Sequence, residues 1–102
     1  MKLLKGLIWC ECGKKYVHKL DHRTSIYLCS RRNNYGVKFC SSQSIREQEL
    51  LDIIDRHCVI HHKSYENIQT LIDKITVGLD GSINVVYQDG KKSIVNERGI
   101  IY

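Results

Sequence analysis

The sequence predicts an α+β fold: a small β-ribbon held by zinc, then one amphipathic helix, then a C-terminal β-hairpin or meander. Three observations predict it. Cysteines at 10, 12, 29 and 40 bracket short β-type runs. Apolar side chains recur at helical spacing after Ser44. Apolar residues also alternate on both sides of Asp80 and Gly81, the pattern of a hairpin with one buried face.

Residues 7–9, 16–18 and 24–29 are the β-type runs, separated by the turn-like stretches "CGKK" and "KLDHR". "SRRNNYGVKF" predicts a polar loop. Ser44 and Glu47 stand at capping-box spacing, and Leu50, Ile53, Ile54, His57 and Cys58 share one helical face, which predicts a helix over 45–59. The polar hinge "HHKSYEN" follows, and "ENIQTLIDKI" is expected to hold a short second helix. Ile75, Val77 and Leu79 then alternate, as do Ile83, Val85 and Tyr87, and "KSIVNERGIIY" adds an edge strand after the turn "QDGK". The expected division is a zinc ribbon over 1–44 and a helix plus hairpin over 45–102, packed with the ribbon as one unit. The hairpin residues Ile75, Val77, Ile83 and Val85 need a partner face such as Leu50, Ile54 and Cys58.

A chain of 102 residues makes one small domain whose core supplies modest stability, so a staple is useful. Charge is unevenly spread. The first forty residues carry nine Lys and Arg against two carboxylates, Glu11 and Asp21, whereas the remainder carries seven against nine. This asymmetry points to a polyanion partner, with a solvated basic face as the plainer reading. No apolar run approaches a membrane span, and "MKLLKGLIW" is too short for a signal peptide, so a cytoplasmic protein is expected. In a reducing compartment, five cysteines serve better as metal ligands or free thiols than as disulfides.

Cys10 and Cys12 form one candidate ligand pair, and Cys29 and Cys40 the other. Together they offer four thiolates to one tetrahedral Zn²⁺. Only Glu11 separates the first two sulfurs, one spacer fewer than the usual C-x-x-C-G knuckle, while Gly13 is retained for the tight turn. In the plainer reading Cys10 is simply a buried residue after Trp9. His18 and His22 are substitutes should either thiol of the knuckle fall short. Cys58 lies on the apolar helix face and is expected in the core. His57, His61 and His62 sit where imidazoles satisfy the carbonyls at a helix C-terminus. A redox pair is excluded by spacing and context, and no nucleophile elbow, phosphate loop or paired carboxylates occur, so a non-enzymatic chain is expected.

The stretches "LLKGLIWCECGKK", "YLCSRRNNYGVKFCSSQSIREQELLDII" and "LIDKITVGLDGSINVVY" together resemble the recombinase zinc β-ribbon domain, the C-terminal region of large serine recombinases, over roughly residues 3 to 88. The resemblance implies a DNA-binding module of a site-specific integration or excision enzyme of a mobile element. Such a module grips the outer part of the attachment site, while a separate resolvase-like domain carries the nucleophilic serine. It implies Cys10, Cys12, Cys29 and Cys40 as the metal ligands. That catalytic domain is expected to be absent from this chain, and "RHCVIHHKSYEN" is too short for the long coiled coil many relatives insert here.

Lys14, Lys15, Lys19, Arg23, Arg31, Arg32 and Lys38 fall in the ribbon's loops and strand edges, where a rigid core presents them to the phosphates of double-stranded DNA. Arg31 and Arg32, with Asn33 and Asn34 beside them, have the side chains that read guanine and adenine edges. Tyr16, Tyr27 and Tyr35 are expected to pack the ribbon. Competing readings are a zinc-ribbon protein interaction module, in which the charge serves solubility, and a decayed recombinase remnant. A full-length recombinase is a further expected partner.

Overall fold

The computed structural model describes residue 4, residues 6–36 and residues 43–102. Its elements in chain order are β1 (Ile8–Cys10), β2 (Tyr16–Asp21), β3 (Thr24–Cys29), α1 (Ser30–Tyr35), β4 (Ile45–Arg46), α2 (Glu47–Ile60), α3 (Ile68–Leu71), β5 (Ile72–Val77), β6 (Ile83–Tyr87), β7 (Lys92–Asn96) and β8 (Gly99–Ile101). They form a mixed α+β fold, with a three-stranded sheet in the order β2-β3-β4 and a five-stranded sheet in the order β1-β5-β6-β7-β8.

The C-terminal meander is built from two hairpins of one local design. In each, an Asp-Gly pair makes the turn: the Asp80 carboxylate accepts from the Ser82 N–H at 3.0 Å, and the Asp89 carboxylate from the Lys91 N–H at 3.0 Å. Gly81 and Gly90 follow with φ of +87° and +88°, the left-handed region that costs glycine little. The expected edge strand divides in two, β7 and β8, at a turn held by the Asn96 side chain accepting from the Arg98 N–H at 2.8 Å.

The first β-type run departs from its chain neighbours. β1 pairs in parallel with β5, Ile8 opposite Ile75 and Cys10 opposite Val77, and meets the ribbon through an isolated bridge from Trp9 to Lys15. Ile8 and Cys10 point inward beside Ile75 and Val77, all buried. The strand that carries the first cysteine therefore lies in the sheet of the C-terminal strands.

Two local expectations give way. "SRRNN" is helical, α1, where a polar loop is predicted; it continues directly from β3 as the chain turns off the sheet. The capping box does not form. Ile45 pairs with Tyr27 as part of β4, so the helix begins at Glu47 with Arg46 at the cap and no side-chain cap bond. Glu47 instead turns into the core, where its carboxylate accepts from the Tyr27 hydroxyl at 2.7 Å, and that hydroxyl accepts from the Leu4 N–H at 3.1 Å. One buried phenol thereby joins the ribbon, α2 and the N-terminal segment.

A single apolar cluster takes Leu50, Ile54 and Cys58 from α2, Ile75, Val77, Ile83 and Val85 from the sheet, and Tyr16, Tyr27 and Cys29 from the ribbon. The expected partner faces of helix and hairpin thus share one core. Fully buried His57 seals the end of α2 against the sheet. Its ring stacks on Tyr87 at 3.7 Å and 5°. Its Nδ1 bonds the Tyr102 carbonyl, and Nε2 accepts from Lys63 Nζ at 2.9 Å, which assigns the neutral Nδ1–H tautomer. Lys63 also pairs with Asp89 at 2.5 Å.

Candidate metal centre and the basic surface around it

β1, the knuckle after it and the end of β3 bring Cys10, Cys12 and Cys29 together. Their sulfurs all lie within 4.8 Å of one another, with Cys12 Sγ 3.5 Å from Cys29 Sγ. Two thiolates at ~2.3 Å from a tetrahedral Zn²⁺ stand about 3.8 Å apart, so these thiols already have the spacing of one coordination sphere. Cys10 and Cys29 are buried and Cys12 is half-buried.

The knuckle closes by backbone. The Gly13 N–H donates to the Cys10 carbonyl at 3.0 Å, and the Cys10 N–H donates to the Lys14 carbonyl at 2.8 Å, with Gly13 at φ +94°. With one spacer residue fewer, the turn is braced from outside. The Glu11 N–H donates to the Val77 carbonyl at 2.9 Å, and the Glu11 carboxylate accepts from the Leu79 N–H at 2.8 Å, tying the knuckle to the end of the β5–β6 hairpin. In the sequence Glu11 reads as a mere spacer; its one signal there is that it is the single carboxylate among the first twenty residues.

Cys40 lies outside the described residues. Gln43, three residues later, is held against the ribbon: its carbonyl accepts from the Tyr16 hydroxyl at 3.0 Å, and Tyr16 is the β2 partner of Cys29. The histidine substitutes are placed elsewhere. His18 bonds Ser25 Oγ at 3.1 Å and meets the Tyr27 ring edge-on, and His22 sits at the hairpin tip beside Asp21. Cys58 is in the core, where burial pushes its thiol pKa up.

The expected basic residues that are described lie on the knuckle, β2, the hairpin turn and α1. Lys14 is exposed on the knuckle. Lys15 Nζ stands 5.0 Å from the centre of the Trp9 ring, which Lys74 approaches to 5.4 Å. Lys19, exposed midway along β2, and Asn33, exposed on α1, line one open groove floored by Ile26 and Leu28. Arg31 is half-exposed on α1, Arg32 is also in α1, and Lys38 is outside the described residues. At the far end, His22 and Arg23 make a two-residue turn with φ of +48° and +69°. That turn is six residues from Cys29, about 20 Å along an extended strand.

The family model for the recombinase zinc beta ribbon domain matches residues 3–59. The chain belongs to this family. No curated protein and no solved structure matches it. As a recombinase zinc beta ribbon domain, the chain is a recombinase-associated module, and its cofactor is Zn²⁺. The donor set fits that ion: three converging sulfurs with no carboxylate among them are soft ligands that favour zinc over the hard divalent cations. The matched stretch takes in β1 through most of α2, while β5 to β8 lie beyond it. No helix among the described residues is long and apolar enough to cross a membrane.

Proposed function

We propose that this chain is a non-catalytic, zinc-stabilised module that binds duplex DNA for a serine site-specific recombinase of a mobile element, acting in the cytoplasm beside a full-length recombinase. The observation that carries the reading is the convergence of Cys10, Cys12 and Cys29 in a recombinase-family ribbon that exposes Lys14, Lys15, Lys19 and Arg23. Cys40 supplies the fourth thiolate. The bound ion makes the ribbon a rigid platform, and Lys14, Lys15, Lys19, Arg23, Arg31, Arg32 and Lys38 engage phosphates from it. Asn33, which lines the same groove as Lys19 and Asp21, meets a base edge.

A rival role for the nearest lysines is electrostatic. Four thiolates around Zn²⁺ carry a net charge of about −2, which Lys14 and Lys15 offset whether or not DNA is present. Salt separates the two roles, because phosphate binding releases counterions and a structural charge balance does not. The zinc-loaded protein is expected to bind a duplex with affinity falling steeply as salt rises. Arg31→Ala with Arg32→Ala should reduce the log–log slope by about 0.9 for each phosphate that is no longer neutralised. Absence of salt-sensitive binding to any duplex rejects this function and favours a protein-docking module, for which the edge strand β8 exposes Ile100 and Ile101.

A further inference from the structure

The five-stranded sheet has one covered and one open face. Its covered face is the core, with Ile8, Ile75, Val85 and Ser93 in register and all buried. On the open face, the antiparallel bridge and strand pairs set Lys15, Trp9, Thr76, Asn84, Ile94 and Ile101 in one row. A second row runs Lys74, Val86, Lys92. Because Lys15, Val17 and Lys19 alternate with buried Tyr16, the outer side of β2 continues this face without a change of side.

The face is mainly basic. The two rows carry Lys15, Lys74 and Lys92, all exposed, and no carboxylate; exposed Asp73, at the β5 irregularity, adjoins Lys74, and the β2 extension ends on exposed Asp21. Trp9 holds two of the three ammoniums over its ring. α2, packed against the core, turns Glu49, Asp52 and Asp55 outward against one Arg56. The two rows of the open face are therefore basic although the C-terminal half is near neutral in total, most of its acids lying on α2 and in the strand turns with Asp80, Asp89 and Glu97.

We infer that the open face of the five-stranded sheet is a second phosphate-binding surface, on which Lys74 and Lys92 extend the ribbon's grip along the same duplex. The inference rests on the DNA-binding reading above. Lys74 and Lys92 are two strands apart, about 10 Å, a separation that reaches two phosphates. Trp9 keeps Lys15 and Lys74 facing outward and links this face to the ribbon.

Lys74→Ala with Lys92→Ala, exposed positions that leave the core intact, is tested as the zinc-loaded full chain by anisotropy of a labelled duplex over a salt series. The expected result is a slope lower by about 1.8, two phosphates at about 0.9 each. Trp9 is the single tryptophan, so its emission reports on this face directly. In the wild type, DNA should change that emission at the concentrations that saturate the anisotropy. If Arg31→Ala with Arg32→Ala lowers the slope while the lysine pair leaves it unchanged, DNA binding stands and the sheet surface is overturned. If the wild type shows no salt-sensitive binding, both fall.

Discussion

Cys29 is the residue that tests the metal centre, since it is the one thiol of the described cluster contributed by the β2–β3 hairpin and its sulfur lies 3.5 Å from that of Cys12. Metal analysis of purified protein is expected to show one zinc per chain, lost in Cys29→Ser and retained in Cys58→Ala, whose sulfur is in the core. Retention of full zinc by Cys29→Ser would exclude it as an essential ligand. Glu11 supports the same centre at one remove. Glu11→Ala frees the Leu79 N–H and loosens the shortened knuckle, so zinc affinity should fall about tenfold, the low end for groups that orient ligands. A competition titration with a chromogenic chelator measures it. Tyr27 acts on folding alone. Tyr27→Phe deletes the bonds to Glu47 and to the Leu4 N–H within the core, an expected loss of about 1–3 kcal/mol in denaturant unfolding with zinc content unchanged.

The β2–β3 hairpin is the element that tests stability against the proposed binding. Its two-residue turn places His22 and Arg23 both at positive φ, the geometry for which Asn-Gly is the favoured pair. Left-handed backbone costs a non-glycine residue about 1 kcal/mol or more. His22→Asn with Arg23→Gly should therefore raise the melting temperature of the zinc-loaded protein. If Arg23 touches a phosphate, the same change lowers the salt slope of DNA binding by about 0.9. A more stable variant with an unchanged slope would remove the tip from the DNA surface. α1, at the other end of the hairpin, gathers Arg31 and Asn33 on a short helix beside the groove.

At the scale of the whole molecule, one core joins ribbon, helix and sheet, and His57 makes it sensitive to acid. Burial is the main force holding the His57 pKa below its usual value; Lys63 and His61 act in the same direction, while the Tyr102 carbonyl and Asp89 oppose them. The unfolded chain therefore takes up the proton more readily than the folded one. The stability contributed by neutral His57 is complete above about pH 6.5, the unperturbed value, and is lost as pH falls through the lower folded value. Thiolate protonation also releases zinc in acid, so the comparison that isolates His57 is with His57→Gln. That variant should be less stable at pH 7.5 yet lose less on going to pH 5 in thermal melts. An equal loss in both proteins would assign the acid sensitivity to the metal centre.

The sequence by itself determined what is local. Helical spacing after Ser44, two Asp-Gly turns between alternating strands and a glycine-closed C-x-C knuckle each encode a structure within about ten residues, and each is present. The metal was equally legible, because thiols gathered around short β runs are soft donors suited to zinc. Tertiary structure alone decided which strand partners β1, since Ile8 and Cys10 match any buried face and only the pairing with Ile75 and Val77 selects one. It also overrode the capping box, because a buried Tyr27 hydroxyl offers the Glu47 carboxylate a stronger bond than a solvated helix end does. The open basic face of the sheet was hidden for the same reason. Lys15 lies in the basic N-terminal stretch, Lys74 and Lys92 far from it in a near-neutral one, and they become one surface only through strand register.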